Sequence, residues 1–393
     1  MTSSKKKRGR RAATLSPRRV HEFVAGVLDS DFHAKRVRSV SDATVGVLNA
    51  GALGVHAIGH GLAVARGLMD KHAIKQVDRL LSNQGLSVDA VFEKWVPYVV
   101  GERPAVVINL DWTEFDRDDH SMLVASVQSR HGRSTPLMWS TAKKSALKGN
   151  RNGHEDQLLQ RLRELIDESV HVTIVADRGF ADQKLFEFLE VELGFAYVIR
   201  FKADTYVENS KGERKRAREW VGPGGRLRVI RDAVVTAGRT PVNSVVVVQD
   251  RNMKELWCLA CSAANAKGSE LKKLYAKRFT CEELFRDMKD MRFGLGMSWN
   301  RVGRTDRRDR MFLLAALAYA LLTLLGEAGE RAGLDRLLKA NTRKTRTISL
   351  FKQGLRWYEL IPNMPDERLT LLVDSFEQVI AEHAVWKAVL GTI

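Results

Sequence analysis

Three acids in this chain stand where metal-assisted chemistry could be done. Asp111 closes an apolar run at 105–110, and Asp177 closes another at 172–176. A buried strand that ends on a carboxylate leaves it at the sheet edge, within reach of solvent and cations. Two carboxylates held side by side repel and raise a pKa, unless a hard divalent cation lies between them. Mg²⁺ and Mn²⁺ prefer such oxygen ligands. Acids also end strands simply as turn residues, and Glu114, Asp116, Asp118 and Asp119 compete with Asp111 for the role. The third acid, Glu282, belongs to a polar series with Tyr275, Arg278 and Lys289, spaced by three, four and seven. At about 100° per residue, positions 275, 282 and 289 share one stripe of a single helix, with Arg278 about 60° away and Arg286 close by. The plain alternative is a solvated helix face with i,i+4 ion pairs from Glu282 to Arg278 or Arg286. Thr280-x-x-Glu283 also reads as a capping box, which would break the helix there.

The elements that must position these acids follow from hydrophobic period. The run at 105–110, broken only by Asn109, is a strand; 123–127 and 136–140 are two more, with a turn at 130–133. Helical spacing follows at 154–168, then the strand ending on Asp177, a helix at 182–193 and a strand at 195–199. The order is β-β-β-α-β-α-β, which allows the strands of Asp111 and Asp177 to be neighbours. Residues 201–262 predict a β-rich segment with a Gly222-Pro223-Gly224-Gly225 turn, and the chain from 269 onward is helical. Residues 21–100 carry helical spacing too, through Val45, Leu48, Val55, Ile58 and Leu62, then Ile74, Val77, Leu80 and Leu81. The second of these segments also holds Lys71, Lys75 and Arg79, and so can present a basic face.

Composition narrows the class. The 393 residues include 64 Lys and Arg against 47 Asp and Glu, a net charge of +17. Hydrophobic residues make up 44%, enough for a packed core and against wholesale disorder. Three cysteines cannot build a disulfide framework. The positive surplus points to nucleic acid or an anionic membrane surface. Residues 1–20 form a basic tail with eight Lys and Arg and no acid, expected to be disordered. No apolar stretch follows that would serve as a signal-peptide core. The longest apolar run, 311–325, is shorter than the roughly 20 residues that span a bilayer and reads as a buried helix. The expectation is a cytoplasmic protein, with nucleic acid as partner and no membrane role.

Tyr275-(2)-Arg278-(3)-Glu282-(6)-Lys289 resembles, spacing for spacing, the Y-(2)-R-(3)-E-(6)-K signature of the insertion sequence 4 family of DDE transposases. DWTEF around Asp111 and ADRGF around Asp177 resemble that family's two Asp motifs, and the segments 71–83 and 343–357 are similar to parts of it. The resemblance covers about 70–360. It implies an α/β fold: an RNase H-like catalytic core at 101–310, interrupted by a β-rich insertion at about 201–262. A helical DNA-binding domain at 21–100 would precede the core. A helical region at 311–393 would complete it and carry the dimer contact. Asp111, Asp177 and Glu282 would be catalytic and metal-binding, separated by 66 and 105 residues.

The implied chemistry is phosphodiester hydrolysis and strand transfer on double-stranded DNA with two Mg²⁺ or Mn²⁺ ions about 3.5–4 Å apart. Asp111 would bridge the ions; Asp177 and Glu282 would each complete one shell. The family cleaves both transposon ends through a hairpin, pairs them in a homodimer and joins them to target DNA. A hairpin needs a displaced base, which an aromatic ring can hold; Trp257 is the candidate, against the reading of a core residue in a strand. Tyr275, Arg278 and Lys289 would contact phosphates near the scissile bond, with Arg286 beside them. Lys71, Lys75 and Arg79, then Arg343, Lys344 and Arg346, are the further DNA-binding candidates, each also readable as ordinary solvated surface. A bacterial, nucleoid-associated location follows from the family.

Other signals carry less. Cys258-x-x-Cys261 lacks a second pair or a nearby His for zinc, His56 and His60 lack the intervening Glu of a zinc-protease helix, and Gly222–Gly225 lacks a phosphate-loop Lys. The rival functions are a metal-dependent nuclease without strand transfer and a non-catalytic DNA-binding protein derived from a transposase. The recognised end sequence and target preference are not written in the residues.

Overall fold

A computed structural model describes residues 15–28, 31–129, 131–236 and 238–381 of the chain. Helix α1 (Pro17–Leu28) begins inside the tail that the sequence predicted to be disordered to residue 20. Proline supplies the fixed φ of a first helical position, and Val20, Val24, Val27 and Leu28 are buried. Residues 1–14 of that tail lie outside the described residues. Helices α2 (Ala34–Ala50) and α3 (Val55–Arg66) meet at 96° across a short break. Helix α4 (Asp70–Ser82) turns Val77, Leu80 and Leu81 inward and leaves Lys71, His72, Lys75 and Arg79 exposed. Helix α5 (Val88–Val100) leads into the sheet.

The strands are β1 (Ala105–Phe115), β2 (His120–Gln128) and β3 (Ser134–Lys143), followed by α6 (Arg151–Leu165) and β4 (His171–Ala176). Helix α7 (Gln183–Glu187) continues as a π-turn and leads to β5 (Ala196–Arg200). The segment read as β-rich supplies β6 (Tyr206–Glu208), β7 (Arg214–Arg216), β8 (Arg228–Val235), β9 (Thr240–Val248) and β10 (Trp257–Cys261). All ten described strands form one sheet, in the order β3-β2-β1-β4-β5-β10-β9-β8-β6-β7. The later strands therefore continue the central sheet through β10, which pairs antiparallel with β5. Only β1 with β4 and β4 with β5 run parallel among the described strands.

Two helices, α8 (Gly268–Ala276) and α9 (Phe279–Lys289), precede the long α10 (Thr305–Arg331); α11 (Leu350–Leu360) and α12 (Asp366–Ala381) follow. Helix α10 is long and apolar enough to cross a membrane, yet it is buried, every residue from Arg310 to Gly326 being inside. It crosses α11 closely: a Cβ on Gly354 would stand 1.8 Å from the Leu322 carbonyl, and one on Gly326 2.0 Å from that of Leu350. Its first turns pin the N-terminal helices to the sheet. Arg310 donates to the carbonyls of Leu81 and Leu86 at 3.0 and 2.9 Å, Arg307 pairs with Asp78 at 2.7 Å, and Thr141 on β3 donates to Asp309 at 2.6 Å. Residues 382–393 of the expected C-terminal region lie outside the described residues.

Candidate active site

Strands β1 and β4 are in parallel register with Leu110 opposite Ala176. The next residues are Asp111 and Asp177, which therefore stand at the same level. Asp177 follows the end of β4, but Asp111 is not a strand end as the sequence suggested, since β1 runs on to Phe115 and pairs Asp111 with Val124 of β2. Gly179 N–H donates to Asp177 at 2.8 Å, and Trp112 N–H donates to Asp111 at 2.9 Å, which orients both carboxylates. The competing acids are engaged elsewhere. Lys144 pairs with Glu114 and Asp116 at 3.3 and 2.6 Å, Asp118 meets Arg308, and Asp119 accepts from Ser145 N–H at 3.1 Å.

Glu282 sits exposed on α9, and Arg278 connects it to the first acid: Nη1 donates to Asp111 Oδ2 at 3.0 Å while Nη2 pairs with Glu282. The chain here is not the single helix on which that shared stripe depends. It breaks at Lys277 and Arg278, between α8 and α9. Nor does Thr280 form the capping box read with Glu283. Its hydroxyl donates back to the Lys277 carbonyl at 2.8 Å and accepts from Asn109 Nδ2 at 3.2 Å. Gln128 in turn donates to Asn109 at 2.7 Å. On the far face of α9, Arg133 holds Asp287 at 2.7 Å and Glu283 at 3.0 Å, all three little exposed. This network fixes the helix that carries Glu282 against β1, β2 and the turn before β3. The signal for it was Asn109 itself: one polar residue inside an apolar strand requires a buried partner.

Burial pushes the Asp111 carboxyl up to about 6; Arg278 opposes the rise, while Asp177 and Glu282 add to it as like charges. Burial works against the Arg278 charge, but Asp111, Tyr275, Glu282 and Asp177 outweigh it and hold its pKa above the ordinary value. Those mutual effects place the three acids and the guanidinium in one electrostatic unit. In chemical type the three carboxylates fit a hard divalent cation. Among the described residues no three acidic, His or Cys side chains are gathered tightly enough to hold one ion. Arg278 takes up the cationic role between Asp111 and Glu282.

The other expected site residues are placed as follows. Tyr275 is buried rather than presented to solvent, and its ring meets half-buried Trp257 edge-on at 4.9 Å. Lys289 reaches back to β1, donating to Thr113 Oγ1 at 3.0 Å and the Glu114 carbonyl at 2.7 Å; burial lowers its pKa. Both residues are thus engaged within the protein. Arg286 is exposed and pairs with Glu283 at 2.9 Å. Lys75 and Arg79 border a groove of about 630 Å³ on α4, with Lys71 exposed on the same helix. Arg343 and Lys344 line a smaller hollow of about 340 Å³, whereas Arg346 is tied to Glu330 at 2.6 Å. Cys258 and Cys261 are buried free thiols in β10, and His60 pairs with Asp70 at 3.2 Å. Sequence reasoning missed Glu155 on α6, a buried acid whose carboxylate accepts from Nε1 of Trp112, the residue after Asp111, at 2.7 Å.

A family model of the transposase DDE domain matches residues 106–321, from β1 into α10. No curated protein was found to match the chain. The match spans more than half of the chain, and Asp111, Asp177 and Glu282 all lie within it; the chain belongs to the transposase DDE domain family.

Proposed function

We propose that this protein is a transposase of the insertion sequence 4 type, with an RNase H-like core. It binds transposon ends as a homodimer, cleaves them by metal-dependent phosphodiester chemistry through a hairpin, and joins them to target DNA. The observation that carries the reading is the register of β1 and β4, which sets Asp111 beside Asp177, with Glu282 joined to Asp111 through Arg278. DDE transposases generally use divalent metal ions. Asp111, Asp177 and Glu282 would hold two such ions, Mg²⁺ or Mn²⁺, whose chemistry is to activate an attacking oxygen and stabilise the leaving one.

The chain's own groups do the rest. Arg278 neutralises the acids in the free protein and turns to a backbone phosphate when DNA arrives, releasing both carboxylates. Tyr275 orients Arg278 from its buried position, and Lys289 reaches a phosphate by exchanging its bonds to Thr113 and the Glu114 carbonyl for it. Trp257, half-buried at the edge of this cluster, is the candidate for holding a displaced base. Lys71, Lys75 and Arg79 on α4 grip the end sequence, and Arg286, Arg343, Lys344 and Arg346 add sequence-independent contacts.

The test is cleavage and joining of a donor flanked by the element's inverted repeats. Asp111→Ala, Asp177→Ala and Glu282→Ala should each abolish Mg²⁺-dependent cleavage while end binding persists. Full cleavage by any of them would overturn the assignment of that acid. Cleavage without joined product would identify a nuclease instead.

A further inference from the structure

The stretch between α9 and α10 carries large apolar side chains in two opposite environments. Leu295, Met297 and Val302 are buried, whereas Met291 is 56% exposed, Phe293 48% and Trp299 60%. Exposed aromatic and sulfur side chains such as these three, within one short segment, have an unfavourable contact with water that the fold itself does not relieve. The backbone beneath them is tightly held. Asp290 Oδ1 accepts from the N–H groups of Arg292 and Phe293 at 2.7 and 2.8 Å, and Leu295 N–H donates to the Asp287 carbonyl at 2.9 Å. Gly294 lies so close to α9 that a Cβ would stand 1.7 Å from that carbonyl. Asn300 and Leu295 bond to Leu53, at the corner between α2 and α3, and Val302 N–H donates to Asp118 at 3.1 Å. The aromatic rings are therefore presented by a preformed surface.

Arginines are interleaved with the rings. Arg117 stands over Trp299 at 5.4 Å and Arg292 over Phe293 at 5.4 Å, and Arg301 donates to the Arg117 carbonyl. The surface starts where β1 and α9 end, about 10 Å from Glu282 along the helix and about 13 Å from Asp111 along the strand. Exposed rings with guanidinium groups beside them match the chemistry of unpaired nucleic-acid bases joined by phosphates.

We propose that Trp299 and Phe293 form a stacking platform for unpaired bases of a DNA strand that runs past the catalytic acids, with Arg117, Arg292 and Arg301 on its phosphates. This rests on the reading of the protein as one that opens DNA at its ends. The platform differs from Trp257, which is half-buried against Tyr275. Its segment bonds to Leu53 at the α2–α3 corner and follows directly on α9, the helix of Glu282.

The experiment measures fluorescence anisotropy of a labelled oligothymidylate of about 12 nucleotides, and of an unrelated duplex, on the full chain with EDTA present. Trp299→Ala should weaken single-strand binding about fivefold or more, Trp299→Phe should stay within about twofold of wild type, and duplex binding should be unchanged. The proposal is overturned if wild type does not bind the oligothymidylate or if Trp299→Ala binds it as wild type does. It is equally overturned if the phenylalanine variant loses as much as the alanine one, or if duplex binding falls by the same factor. Asp111→Ala is assayed alongside. Lost cleavage with intact oligothymidylate binding in that variant separates the triad from the platform, so each can fail alone.

Discussion

Arg278 lies against Asp111 as a counter-ion, donating to its Oδ2 at 3.0 Å, and the same guanidinium reaches Glu282. Two catalytic candidates on different elements are thus linked by one cation before any metal or DNA is present. Arg278 opposes the burial that lifts Asp111 to about 6. A proton competes with a metal for that carboxylate, so Mn²⁺ binding by the DNA-free protein should weaken as pH falls through about 6. Arg278→Gln removes the group that favours the charged form, so the weakening should begin at higher pH. At about pH 8 the variant should bind Mn²⁺ more tightly, because its acids are no longer paired. Electron paramagnetic resonance titration of free Mn²⁺ reads both effects; an unmoved pH profile would show that Arg278 does not set the charge of Asp111.

The exposed basic face of α4 should act through phosphates. Replacing Lys71, Lys75 and Arg79 together by Ala should flatten the plot of log affinity against log salt by roughly 0.9 for each phosphate no longer neutralised. An unchanged slope on end DNA would show that other basic groups grip the phosphates.

Glu155 titrates near neutral pH. Burial raises its carboxyl to about 7, well above the ordinary glutamate range, against the hydrogen bond from Trp112. The folded state then binds more protons than the unfolded state between those values, so stability falls as pH rises through that window. The change amounts to about 3 kcal/mol at most. Glu155→Gln keeps an acceptor for Trp112 without the charge, and its melting temperature should vary less than that of wild type from about pH 4.5 to 7.5. Parallel profiles would refute the assignment.

Arg308 is fully buried, pairs with Asp118, donates to His120 Nδ1 at 2.9 Å and stacks over Phe115 at 3.9 Å. It fastens α10 to the end of the strand that carries Asp111. Arg308→Met leaves Asp118 without its buried partner and should cost about 3–5 kcal/mol in urea unfolding. A loss below about 1 kcal/mol would mean that water replaces the guanidinium.

The α10–α11 crossing has no room for a methyl group. Gly354→Ala should destabilise by about 1–3 kcal/mol, since the added Cβ collides with the backbone carbonyl of Leu322 and both helices must separate. An unshifted thermal transition would show that the crossing is looser than its geometry.

Local pattern alone determined a good part of this protein. Asp111 and Asp177 were legible because each closes an apolar run, and period distinguishes strand from helix without knowledge of the partner. Glu282 stood out only because its series with Tyr275, Arg278 and Lys289 resembles the family signature; the spacing alone reads as a solvated helix face, and the single helix it assumed is broken at Lys277 and Arg278. What only the tertiary structure decided depends on contacts between residues far apart in sequence. The parallel register that puts Asp111 beside Asp177 joins strands that are distant along the chain. The β10–β5 pairing that makes one sheet of ten strands is equally non-local. The helix break at Lys277 and Arg278 goes with tertiary bonds: Asn109 meets the Thr280 hydroxyl and Arg278 meets Asp111, and neither bond is local to the sequence. Burial did the remainder. It withdrew Tyr275 from the solvent, raised Asp111 and Glu155, and left Trp299 outside, since exposure is a property of the packed whole and not of any residue's type.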